Sequence, residues 1–139
     1  MNTDRSKADL LAGLYRTWGE SKGAVNPFLD HIAEDVSWHS MADGAEGMEF
    51  TGRICCLDDV KRYFAVLAED WEMVYYEVDD VISEGDKAVA IGRCGWRNKR
   101  TGKTATVRKA DVIRFRGDKI AEVTEFYDSA AALAAARPD

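Results

Sequence analysis

The sequence predicts an α+β domain: amino-terminal helices packed on a strongly curved, mostly antiparallel sheet that forms a cone-shaped half-barrel around a pocket. Three observations lead there. The first half of the chain carries apolar residues at helical spacing, whereas Trp71 to Asp128 carries long β-branched and aromatic segments parted by turn signals. Helices followed by strands argue for segregated rather than alternating elements. The length, 139 residues, is that of one domain spanning 1–139, with no internal repeat or low-complexity linker.

Leu10, Leu11, Leu14, Tyr15 and Trp18 fall on one face of a helix. Thr3, Asp4 or Ser6 is expected to cap it, and Gly19 or Gly23 to end it. A short second helix is expected after Asn26, with Pro27 in its first turn and Phe28, Leu29 and Ile32 inward. Asp35 to Met41 alternates Val36, Trp38 and Ser40 against Ser37 and His39, the pattern of a short strand. Asp43 to Gly52 reads as a loop. A helix over about Asp58 to Ala68 turns Val60, Tyr63, Phe64 and Leu67 inward. The turns Glu84-Gly85-Asp86, Thr101-Gly102-Lys103 and Arg116-Gly117-Asp118 then divide four strands near 72–83, 87–98, 104–116 and 119–127. The alanine-rich tail, Ser129 to Ala136, predicts a short, fraying helix.

Composition excludes several classes. The net charge is -6, which disfavours a nucleic-acid partner. The nearest basic cluster, Arg97, Lys99, Arg100, Lys103, Arg108 and Lys109, surrounds a turn and lacks an aromatic ladder for stacking bases. Cys55, Cys56 and Cys94 are odd in number and include an adjacent pair, so reduced thiols and a cytoplasmic location are expected. With no Cys-x-x-Cys pair and only His31 and His39, no metal site is expected, and no organic cofactor is implied. Cys55-Cys56 is read as packing, and Asp58-Asp59 and Asp79-Asp80 as solvated turn or cap residues. The polar start, Met1 to Asp9, has no secretory core, and no apolar run approaches a membrane span, so no membrane partner is expected.

The informative residues break the strand pattern. Val107, Lys109, Asp111, Ile113 and Phe115 share one face, and its apolar members place that face toward the helices. Ala121, Val123, Glu125 and Tyr127 share a face of the last strand. Charges among core positions must be paired, neutralised or turned to a wet pocket. One reading is a structural ion-pair cluster of Lys109 with Asp111 or Glu125. The other is a pocket in which these groups hydrogen-bond a ligand or exchange a proton. Tyr15, Trp18, Trp38, Ser40, Phe64, Ile113, Val123 and Tyr127 are the expected ligand contacts, with Asp111, Glu125 and Lys109 as the catalytic candidates.

With those residues in view, the chain resembles the nuclear-transport-factor-2-like superfamily, and within it the SnoaL-like and ketosteroid-isomerase-like proteins. The resemblance rests on Ala33-Glu34-Asp35-Val36-Ser37-Trp38-His39, Phe50-Thr51-Gly52-Arg53, Ala110-Asp111-Val112-Ile113-Arg114-Phe115 and Glu125-Phe126-Tyr127-Asp128. It implies a cystatin-like architecture. In ketosteroid isomerases a protonated Asp in such a stretch donates to a developing oxyanion, and Asp111 matches it, with Tyr15 as the loosely matched companion. The family's general base falls near Ser40, which is no base unaided. An Asp-Arg-Asp group like that of limonene-epoxide hydrolases is imitated by Lys109, Asp111 and Glu125 only in charge.

The resulting expectation is a pocket for a small hydrophobic molecule that is steroid-, polyketide- or terpenoid-like. Any chemistry there would be acid–base isomerisation, cyclisation or hydrolysis. The alternative is a non-catalytic binding or dimerisation module. Apolar residues on both faces of the last strands, among them Val112, Ile120 and Phe126, suggest a homodimer formed through the sheet.

Overall fold

The computed structural model describes residues 3–139, and side chains from Ser6 onward. The elements are α1 (Thr3–Glu20), β1 (Ile32–Ser40), α2 (Leu57–Asp70), β2 (Trp71–Glu84), β3 (Lys87–Asn98), β4 (Thr104–Arg116), β5 (Lys119–Tyr127) and α3 (Ser129–Ala136). A cap at Thr3 or Asp4 lies outside the described side chains, and Ser6 sits within the helix, not at its start.

The five strands form one open sheet in the order β1-β5-β4-β3-β2. Strands β2 to β5 are the expected meander, with Gly85, Gly102 and Gly117 supplying the positive φ at each reversal. β1 pairs in parallel with β5, so the sheet is mixed and the first strand lies beside the last. α1 and α2 cover the concave face. Leu11, Val36, Val60, Ile113 and Ile120 are the buried centre.

Several elements depart from expectation. The segment after Pro27 forms only a 3₁₀ turn, Leu29–His31, because the chain enters β1 directly at Ile32. β1 therefore starts earlier than expected and stops before Met41. Ile120 points inward rather than to the convex face. Between Arg114↔Glu122 and Phe115↔Ile120 the register shifts, leaving Ala121 as the extra residue of a bulge, which returns Ile120 to the core side. Phe126 is 46% exposed on the convex face, as expected, with Val112 half-buried beside it.

The tail does not fray. Asp128 caps α3 by accepting from the Ala131 N–H at 3.1 Å. Ala132, Ala135 and Ala136 pack into a satellite core with Ala42, Met48, Trp71 and Ala105. Alanine carries little side-chain bulk, so the helix backbone lies close over the end of the sheet. The basic cluster read from sequence is dispersed: Arg97 pairs with Glu72, Lys103 with Asp139, and Lys109 is in the interior. No helix among the described residues is long and apolar enough to cross a membrane.

Candidate functional site

The concave face encloses a cavity of about 110 Å³. Its walls are mainly aromatic. Trp18 and Phe64 meet edge to face at 5.5 Å, and Trp38 lies 5.8 Å from Phe64 and 5.7 Å from Tyr63. One end of this apolar chamber is polar. There β4 and β5 place Asp111 opposite Glu125 and Lys109 opposite Tyr127. All four side chains line the cavity, because strand alternation sends positions two apart to the same face.

Lys109 bridges the two carboxylates. Its Nζ lies 3.2 Å from Asp111 Oδ1 and 3.1 Å from Glu125 Oε2. Only the Glu125 contact has hydrogen-bond geometry. Glu125 is otherwise fully engaged. Its Oε1 accepts from Trp38 Nε1 at 2.7 Å and from the Tyr63 hydroxyl at 2.9 Å. Asp111 is held differently. Its Oδ2 accepts from the Tyr15 hydroxyl at 2.6 Å, with the Tyr76 hydroxyl at 3.4 Å. Among the described residues, Asp111 Oδ1 is one of two buried side-chain polar atoms with no hydrogen bond, the other being Asn98 Nδ2. The Lys109 ammonium thus attracts Oδ1 as a charge without satisfying it as a donor.

Burial pushes the Asp111 carboxyl above its ordinary value. The Lys109 ammonium opposes that shift, nearby Glu125 adds to it, and the Tyr15 hydrogen bond counters it. Burial also works against the Lys109 charge. The negative groups around it, Asp111 first, more than offset this and hold its pKa well above the usual lysine value. Tyr15, Tyr63 and Tyr76 are raised well above the usual phenol value, by burial first and then by the adjacent carboxylates. They remain neutral donors. Cys94, in the cavity wall, is pushed up to about 11 by burial and stays a thiol.

Of the residues expected from sequence, Tyr15, Trp18, Trp38, Phe64, Ile113, Val123 and Tyr127 line the cavity with Lys109, Asp111 and Glu125. Ser40 does not. It is buried behind Tyr127, and the two hydroxyls share a hydrogen bond at 2.5 Å while the Ala42 N–H also donates to Tyr127. His39 is exposed, as read from the alternation. Tyr63 was assigned inward but not to the site. Tyr76 was missed altogether. Counting by twos from Trp71 and Met73 turns Tyr75 inward, but a register shift at Val74 gives that place to Tyr76. Tyr75 instead lies against Gly95, close enough that a Cβ there would meet the ring at 2.7 Å.

Residues 11–123 match the family model of the SnoaL-like domain. The chain belongs to the SnoaL-like domain family. No curated protein matches its sequence. Solved structures with the same fold include an NTF2-like protein from Burkholderia thailandensis E264, with 24% identity and a TM-score of 0.75, covering 93% of this chain and 96% of that one. TerC co-crystallised with polyporic acid has 21% identity and a TM-score of 0.72, over 91% and 94% of the two chains. A putative SnoaL-like polyketide cyclase from Mesorhizobium loti has 14% identity and a TM-score of 0.70, over 86% and 97%. At these identities the likeness is one of fold, a cone-like α+β architecture.

Proposed function

We propose that this SnoaL-like protein binds a compact, largely apolar ring compound in the aromatic cavity and exchanges a proton with it at Asp111. The observation that carries the reading is Asp111 Oδ1, a buried carboxyl oxygen without a hydrogen bond, 3.2 Å from the Lys109 ammonium, on a residue that lines the aromatic cavity. A carboxyl raised by burial keeps its proton to higher pH than a free one does, and can donate it to a carbonyl or enolate oxygen or accept one from an acidic C–H or O–H. Tyr15 fixes the other oxygen. Glu125, with three donors already on it, serves to orient Lys109 rather than as a free base.

Cavity size narrows the ligand. About 110 Å³ is close to the size of a cavity that takes one benzene ring, roughly 150 Å³. A single ring bearing a carbonyl or hydroxyl tip suits it better than a four-ring steroid. Fold neighbours that include TerC co-crystallised with polyporic acid and a putative SnoaL-like polyketide cyclase support an oxygenated carbocyclic ligand in general, not this ring count. The reaction class would be isomerisation, cyclisation or hydrolysis by acid–base transfer.

The test is proton exchange. Cyclohex-2-enone in D₂O, followed by NMR, is expected to gain deuterium next to its carbonyl faster with the protein than in buffer, and Asp111→Asn should abolish the gain. Binding seen by tryptophan quenching without exchange would leave a binding protein, and neither binding nor exchange would sink the proposal. The exposed Phe126 and Val74 support pairing of two copies through the convex face, which light scattering tests.

A further inference from the structure

Outside the cavity, a different set of reactive groups gathers at the start of α2. Cys55 is exposed, which does not fit the packing role read from the sequence, and Cys56 is half-buried. Cys56 is the N-cap residue, with extended backbone (φ -158, ψ 167), and its side chain makes no capping bond to the helix. Adjacent side chains ordinarily diverge on extended chain. Here the two sulfurs and a carboxylate oxygen of Asp59 lie within 4.8 Å of one another.

Asp59 explains the convergence. Its Oδ2 accepts from the Cys55 N–H at 3.1 Å and from the Cys55 thiol at 3.5 Å. Its Oδ1 is held by Arg62 at 2.9 Å. One oxygen is therefore aimed at the thiols and the other is fixed by a cation.

We propose that Cys55, Cys56 and Asp59 form a binding site for a thiophilic divalent cation of the zinc class. Two thiolate sulfurs and one carboxylate oxygen make a borderline-soft donor set, which disfavours calcium and magnesium. Zinc bonds of about 2.3 Å to sulfur and about 2.0–2.2 Å to oxygen need only small rotamer changes to draw these atoms together. Water completes the tetrahedron. On binding, the two S–H protons pass to solvent, two metal–sulfur bonds and one metal–oxygen bond form, and no group is oxidised or reduced. Arg62 then balances the net negative charge of the filled site. Proton release makes the affinity fall in acid.

Cobalt(II) is the probe, added to the reduced protein. The expected result is one equivalent bound, with a thiolate-to-cobalt charge-transfer band and the intense visible bands of a tetrahedral ion, both displaced by zinc. Cys55→Ser and Cys56→Ser should each remove the charge-transfer band. Asp59→Asn should weaken binding by about tenfold or more. Cys94→Ser should leave the band intact. The segment carrying Cys55 is exposed, so circular dichroism should show the variants folded. Absence of a thiolate band at equimolar cobalt, or a band that survives both serine substitutions, would overturn the assignment.

Discussion

The Tyr15 hydroxyl donates to Asp111 Oδ2 at 2.6 Å, joining α1 to β4 across 96 positions of sequence. This bond does two things. It satisfies half of a buried carboxyl, and it leaves Oδ1, which lies 3.2 Å from Lys109 Nζ, as the oxygen without a hydrogen bond. Tyr15→Phe should raise the Asp111 pKa further, because the bond lowers it. The substitution should also cost about 1.5–3 kcal/mol, the range for a hydrogen bond to a charged group. Carbon-13 NMR titration of the side-chain carboxyls and urea unfolding measure both. An unchanged Asp111 titration would contradict the assignment of Tyr15.

Stability should depend on pH through Asp111. Its folded pKa lies above the ordinary 3.8, so the folded state binds the proton more tightly than the unfolded one. The stabilisation is full below the unfolded value and is lost as pH rises through the folded value. Asp111→Asn cannot titrate. Relative to the wild type, it should therefore gain stability as pH climbs from about 4 through the folded pKa. Urea midpoints at a series of pH values provide the measure. Parallel profiles for the two proteins would refute the shift.

Lys109 separates two buried carboxylates on neighbouring strands. Its side chain is only 9% exposed, with those of Asp111 and Glu125 at 7% and 10%. Lys109→Met keeps the length and removes the charge. It should destabilise by about 3–5 kcal/mol at neutral pH, the usual consequence of orphaning a buried ion partner. The loss should shrink in acid, where Asp111 protonates. A loss under 1 kcal/mol would mean the cluster is wetter than its burial implies.

Two glycines of α1 should respond in opposite directions to alanine. At Gly13 a Cβ meets nothing within 4 Å, so Gly13→Ala should stabilise by roughly 0.5–1 kcal/mol through helix propensity. At Gly19 a Cβ would lie 2.3 Å from the Tyr76 carbonyl oxygen. Gly19→Ala should cost about 1–3 kcal/mol and shift α1 off β2, loosening Tyr15 and Tyr76 together. Thermal melts distinguish the two. Equal effects would contradict the close approach.

Most strands were legible because turn glycines and strand periodicity are local signals. The charged positions Lys109, Asp111 and Glu125 were legible because they interrupt an apolar alternation. What failed was whatever a bulge or a distant partner decides. Ala121 and Val74 each add a residue that no local pattern marks, and they reassign Ile120 and Tyr76. Glu125 reads as a catalytic candidate in the sequence, but its donors do not, because Trp38 and Tyr63 reach it from β1 and α2, 87 and 62 positions away. Ser40 shared the inward face but was screened by Tyr127. Pro27 favours a helix start, yet the nearby strand claimed the chain first.

The parallel pairing of β1 with β5 has a consequence for biogenesis. A ribosome releases β1 long before its strand partner exists, so the pairing edge of β1 and the Trp38 indole N–H must wait for β5 and Glu125. The closure is a late, long-range event that slows acquisition of the native state. During that interval chaperones have their best opportunity to engage the nascent chain. A premature stop before Lys119 would therefore leave an adhesive fragment rather than a smaller version of the protein.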